Sequence, residues 1–247
     1  MAQVGDQPIN ALDSQPNELM LELFAYLPLR SLIAARGVCT KWRRFVDLSN
    51  LLPVRRRLLD FYLLAIKSPS FLAARQMIVP QLQVFDREEY LGKLLVNFVL
   101  PEEFEFYIRE WPAKAAVSWV WPGLDNTFLS ASGVRMHGRN WLGRTIDNSD
   151  DTEIFFPGDT YEDDGDMTPL RALELWEHGC AWSDWLVCDK TKDNSGRSHF
   201  GEVYACEGEY VDWENTDKPN GSSWIDWLKL RVKADDRALE RTSADGG

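Results

Sequence analysis

Three histidines (His137, His178, His199) and four cysteines (Cys39, Cys180, Cys188, Cys206) are the side chains here best suited to proton transfer, nucleophilic attack or metal binding. Their spacing supports none of these. Zinc ligands usually arrive as close pairs, and no Cys-x-x-Cys occurs. His178, Cys180, Cys188, His199 and Cys206 fit no ligand pattern, so no metal is expected. There is no glycine-rich phosphate loop, no dinucleotide fingerprint, no His-Glu-x-x-His and no Gly-x-Ser-x-Gly. Asn148 to Asp166 concentrates acid around Phe155–Phe156. It lacks the alternating ligands and fixed glycine of a calcium loop and reads as a solvated acidic loop. Carboxylate pairs such as Glu207/Glu209 are too common in so acidic a chain to mark a site. The expectation is a protein that is not an enzyme and takes no cofactor.

The 247 residues are 45% apolar and 27% charged, as in an ordinary folded protein. Net charge is −12, unevenly spread. Residues 1–100 hold 12 Lys/Arg against 9 Asp/Glu, whereas residues 101–247 hold 15 against 30. An acidic C-terminal half repels phosphate backbones and anionic lipid, so no nucleic acid and no membrane partner is expected. Met1 to Ser14 is polar and lacks the basic and apolar regions of a secretory signal. That makes cytoplasm or nucleus the expected location and reduced thiols the expected state. Of the 11 tryptophans, only Trp42 precedes residue 111. Two modules of different chemistry are implied.

Apolar spacing places the elements. Leu19, Leu23 and Tyr26/Leu27 mark a helix over 16–27, which Pro28 stops. A second helix is expected over 31–36, broken by Gly37, and a third over 39–46 with Trp42, Phe45 and Val46 on one face. Val54 to Ile66 reads as a longer helix opened by the basic run Arg55–Arg57, which is expected to be a solvated face. Pro69 and Pro80 bracket a further segment. Asp86 and Glu89 have capping-box spacing ahead of a helix over 87–98. Another begins at Leu100–Pro101 and ends by Pro112. The periodicity then changes. Val117–Trp121, Phe155–Phe156, Trp185–Cys188 and Gly201–Cys206 read as strands, Pro169–Glu177 as a short helix, and Trp224–Val232 as a closing helix or strand.

Leu12–Leu52 resembles an F-box. The resemblance rests on Pro16, Glu18, Leu19, Leu23, Phe24, Tyr26–Leu27–Pro28, Leu32, Arg36, Val38–Cys39, Trp42–Arg43 and Val46. The family usually has Leu directly before the first Pro; Gln15 stands there, leaving Leu12 as the candidate anchor. Three helices this short cannot cover their own apolar stripes. The resemblance implies a Skp-type adaptor as the covering partner, and through it a cullin–RING complex. The expected adaptor-binding residues are Leu12, Pro16, Leu19, Leu23, Leu27, Pro28, Leu32, Val38, Cys39 and Trp42. The chain is then expected to be a substrate-receptor subunit of an SCF-type ubiquitin ligase.

Leu100–Phe104, Trp185–Val187, Gly201–Tyr204 and Ser222–Leu228 look like ordered landmarks of the SUKH-type (Smi/Knr-like) family. That resemblance implies an α+β interaction fold with no catalytic residues, and the pairing of the two modules points to a fungal source. The expected layout is a tail (1–11), the F-box (12–52), a helical spacer (53–99), a SUKH-like α+β domain (100–233) and a second tail (234–247). For any single tryptophan, burial in the core is the simpler home. Trp182 and Trp213, beside Asp184 and Asp212, are the candidates for contact with an unknown client protein. The alternative is a Trp-lined pocket for a glycan or small molecule, with converging carboxylates.

Overall fold

The computed structural model describes residues 15–127, 129–130, 137–144, 153–157, 167–179, 181–212, 214 and 216–245. The chain forms two compact units, Met1–Leu59 and Asp60–Gly247. The fold class is α+β, as the sequence implies.

The N-terminal unit holds three short helices, α1 (Asn17–Tyr26), α2 (Leu29–Val38) and α3 (Thr40–Leu48). Pro28 separates the first two, since it cannot continue α1 but suits the start of α2. Gly37 does not break α2. It lies inside the helix with open space where a side chain would stand, an exposed position where glycine costs only about 1 kcal/mol. The helix ends instead at extended Cys39, whose Sγ accepts the Trp42 N–H at 3.5 Å and so caps α3. Met20, Phe24, Leu29, Leu32, Ala35, Phe45 and Val46 are buried. Phe24 anchors them, with the Trp42 ring edge-on at 5.4 Å and Phe45 at 5.8 Å. Arg56 closes the end of α3, donating to the carbonyls of Val46 and Ser49 at 2.9 and 3.0 Å.

Helix α4 (Pro53–Ala65) carries the division between the units. The expected spacer is therefore not separate. Helices α5 (Pro69–Gln81), α6 (Arg87–Asn97) and α7 (Glu102–Glu110) belong to the C-terminal unit with α8 (Trp224–Asp245). Nor are residues 234–245 a tail. Asp236 on α8 accepts Ser68 Oγ at 2.6 Å and the Ser70 N–H at 2.9 Å. That fastens the second half of α8 to the start of α5. Asp86 caps α6 as its spacing implies, taking the N–H groups of Glu88 and Glu89. Between the helices lies an aromatic core, in which Tyr107 touches Trp111, Trp121 and Trp224 at 5.1–5.5 Å.

The strands are β1 (Leu129–Ser130), β2 (His137–Asn140), β3 (Glu153–Phe156), β4 (Thr168–Gly179), β5 (Trp182–Val187), β6 (Val203–Glu207) and β7 (Tyr210–Val211). Sheet order is β1-β2-β4-β3-β7-β6-β5, and β5 also pairs with β4. The last pairing closes β3 to β7 into a small barrel. Alternate residues fill its interior: Ile154, Phe156, Leu170, Ala172, Trp185, Val187, Tyr204, Cys206 and Val211. Pro169–Glu177, expected as a helix, lies inside β4. Leu170 and Ala172 alternate into the barrel there, and pairing on both edges outweighs the helix preference of the run. Val117–Trp121, expected as a strand, is a buried tight turn, with Ser118 and Trp119 at φ of 50° and 65° between the bridged Val117 and Val120.

Gly221 exchanges both backbone hydrogen bonds with Val203. A Cβ there would stand 2.6–2.8 Å from Trp227 Cβ, Cα and N. Gly221→Ala is expected to destabilise the protein by about 1–3 kcal/mol, read as a lower urea midpoint at unchanged slope.

Candidate functional site

On α1 the apolar residues lie on two sides. Met20 and Phe24 face the core. Leu19, Leu23 and Tyr26 are 54%, 48% and 76% exposed, and their 3–4 spacing puts them on one outward stripe. Val38 and Leu48 are each 61% exposed at the ends of α2 and α3. Contiguous exposed apolar side chains of this kind are a candidate interaction surface.

Of the residues expected to bind the adaptor, Pro16, Leu19, Leu23, Pro28, Val38 and Cys39 are exposed, while Leu27 and Trp42 are half-buried. Leu32 is fully buried and is a core residue, not a contact. It points inward beside Leu29 and Ala35, the buried side of α2. Leu12 lies outside the described residues. Tyr26, the most exposed side chain of the stripe, was not among the expected contacts. The legible signal is its place seven residues after Leu19.

In the C-terminal unit most tryptophans serve the core. Trp111, Trp119, Trp121, Trp176, Trp185, Trp224 and Trp227 are buried. Two surface concavities, one lined by Leu95, Val96, Phe98, Val99 and Arg171 and one by Leu63, Leu64, Lys67 and Val232, contain no tryptophan. Trp182 is half-buried and Asp212 exposed. Trp213 lies outside the described residues, as do Cys180 and most of the acidic segment 148–166.

Asp184 is not a client contact. It is only 2% exposed and its oxygens are taken by Asn220 Nδ2 at 3.0 Å, Trp227 Nε1 at 3.1 Å and His178 Nε2 at 2.8 Å. Burial disfavours its charge, but the His178 hydrogen bond and charge, Arg231 and Asn220 together hold its pKa below the ordinary carboxylate value. The carboxylate joins β5 to α8 and to the loop before it. Asp184→Ala leaves the buried Trp227 Nε1–H without its acceptor, whereas Asn220 and His178 reach water. It is expected to cost about 1–3 kcal/mol, seen as a lower denaturation midpoint.

His199, 1% exposed, fills a second polar cluster. Its ring stacks on Phe156 at 4.2 Å. Nε2 meets Asp193 Oδ2 at 2.8 Å, and Nδ1 meets Tyr204 OH at 2.8 Å and Glu202 Oε2 at 3.1 Å. Arg197 pairs with Glu202 and Asp217 around it. Burial opposes a charged imidazole, but its hydrogen bonds to Glu202 and Asp193 and the charge of Asp193 prevail and raise its pKa. Elsewhere in the barrel, burial pushes Glu174 up to about 7, with Ser183 Oγ donating to it at 2.7 Å. Among the described residues no group of His, Cys, Asp and Glu is placed to hold a metal.

A raised histidine pKa stabilises the fold fully below the unfolded value of about 6.5. That contribution disappears as pH rises through the folded pKa. Asp193 and Glu202, both depressed, contribute above their unfolded values and lose that contribution in acid. The melting temperature is expected to fall on the alkaline side of about pH 6.5 more steeply in the wild type than in His199→Gln. Thermal scans across pH check it; parallel profiles would overturn the role given to His199.

Comparison with known proteins bears on the first of these surfaces. A family model described as F-box domain matches residues 16–53. No curated protein and no solved structure matches the chain. The matched segment is the three-helix unit with the outward apolar stripe, and the chain therefore carries an F-box domain at residues 16–53.

Proposed function

We propose that the chain is the substrate-receptor subunit of an SCF-type ubiquitin ligase. The F-box domain supports the role of docking to a Skp-type adaptor, and through it to a cullin–RING complex. The observation that carries this reading is the stripe Leu19, Leu23 and Tyr26, exposed although the unit already has its own core in Met20, Phe24, Leu32 and Phe45. Covering a large apolar side chain contributes about 1.5–3 kcal/mol. A few such anchors in a dry centre are enough for a stable interface.

The C-terminal unit, on this reading, presents a client protein. The chain adds no nucleophile. Its contribution is to hold a client lysine near a charged carrier enzyme, a gain in effective concentration. Net negative charge favours basic clients, chiefly through the rate of association. The SUKH-like reading of this unit is supported by the element types of its landmarks. A helix follows Leu100–Pro101, a strand carries Val203–Tyr204, and a helix opens at Trp224. The cytoplasm and the nucleus, where such ligases act, are the proposed location.

The test is co-purification of the full chain with a Skp-type adaptor. Leu19→Asp and Leu23→Asp place a carboxylate where the partner's apolar surface would lie. Each is expected to reduce recovery about tenfold or more. Their melting temperatures should stay within a few degrees of wild type, since both positions are exposed. Recovery equal to wild type removes the proposal.

A further inference from the structure

The outer wall of the barrel carries an ordered row of side chains that the core does not use. Across four adjacent strands, Trp182 on β5 is opposite Glu207 on β6, Glu207 is opposite Tyr210 on β7, and Tyr210 is opposite Phe155 on β3. Residues directly opposite on neighbouring strands share a face of the sheet. Their sequence neighbours Ile154, Phe156, Cys206 and Val211 fill the interior, so the row faces outward. Phe155 and Tyr210 stack at 5.5 Å with 27° between their planes, and Tyr210 is 53% exposed. The row is held in place. Gly208, in the turn between Glu207 and Tyr210, adopts φ of 62°, and its N–H donates to Ala181 O at 2.7 Å, beside Trp182.

The charge along the row is mainly negative. Residues 202–217 contain six Asp/Glu and no Lys or Arg, and of these acids Glu202 and Asp217 pair with Arg197. Glu207, Asp212 and Glu214 are exposed, as is Glu153 two residues before Phe155. Arg171, opposite Glu153, is engaged by the Asn97 carbonyl at 3.0 Å. An aromatic face ringed by carboxylates attracts a cation twice, through the ring quadrupole and through the acids. An acidic peptide or a phosphate is repelled there, and a purely apolar segment desolvates the carboxylates without compensation.

We propose that the row Trp182–Glu207–Tyr210–Phe155 is the docking face for a basic protein segment, with a Lys or Arg side chain over the Phe155–Tyr210 pair and a neighbouring basic side chain against Glu207. This deepens the client-presenting role and rests on that reading. It replaces Asp184, buried in the structure, with residues that a client can reach.

The test uses the full chain and a short fluorescein-labelled arginine–serine repeat peptide, with a glutamine–serine repeat as control, followed by anisotropy. Wild type binds the arginine peptide and not the glutamine one. Tyr210→Leu with Phe155→Leu keeps the charge and an apolar side chain but removes the rings, and weakens binding about fivefold. Glu207→Lys weakens it at least as much. Glu240→Lys, the same change of net charge on α8 outside the row, leaves binding near wild type. If the leucine variant melts early, the comparison of Glu207→Lys with Glu240→Lys decides alone. Equal weakening by those two substitutions, or equal binding of both peptides by wild type, overturns the proposal. Adaptor recovery is measured on the same preparations. Its failure in wild type refutes the ligase reading, and the peptide result still judges the surface.

Discussion

A helix of ten residues in a small three-helix unit has more apolar surface than its two neighbours can cover. That constraint governs the N-terminal unit. The inner side of α1, Met20 and Phe24, is spent on a core with Leu29, Leu32, Phe45 and Val46. The outer side, Leu19, Leu23 and Tyr26, stays largely exposed. A chain this short could have placed polar residues there at no cost to its fold. Apolar side chains on that side oppose solubility, which supports the proposed docking to a second polypeptide.

The C-terminal unit solves the opposite problem. It holds most of the tryptophans and most of the acid, which must not meet in a dry interior without partners. Tryptophan goes largely inward, and acid largely outward. Where a carboxylate does go inward it is paired: Asp184 takes the Trp227 indole N–H, the Asn220 amide and His178. Such an arrangement adds little net stability compared with an apolar core of the same volume, but losing one partner is costly. It also selects one docking of α8 on the sheet, because another placement leaves the carboxylate unpaired. Closure of the barrel through β4 has a second consequence. An open sheet exposes one face or covers it with helices, whereas closure confines Trp185 and Tyr204 inside and frees the outer wall for Tyr210 and Phe155.

The helices were legible because their evidence is local. Pro28, the Asp86 cap and the spacing of Leu19, Leu23 and Tyr26 act within a turn or two. The strand β4 was not legible. Its run Arg171–Ala172–Leu173–Glu174–Leu175 is made of good helix formers, and only pairing with β3 and β5 on either edge holds it extended. The buried turn at Ser118–Trp119 was missed for a related reason. An apolar run such as Val117–Trp121 suits a strand or a buried loop equally well, and packing decides between them. Gly37 shows the reverse error, a breaker in sequence that the helix tolerates because the position is exposed.

For the candidate surfaces, the sequence by itself determined that an F-box-like pattern exists, that large apolar residues repeat along α1, and that the C-terminal half is acidic and rich in tryptophan. Residue type and spacing encode these facts directly. Only the tertiary structure decided which of those residues are available. Leu19 and Leu32 are alike in type, yet one is exposed and the other fully buried. Asp184 and Asp212 both stand next to a tryptophan, yet Asp184 is enclosed by groups 36 and 43 residues away. Whether a side chain meets water depends on what the rest of the chain brings to it, and that is a property of long-range packing, not of the neighbouring letters.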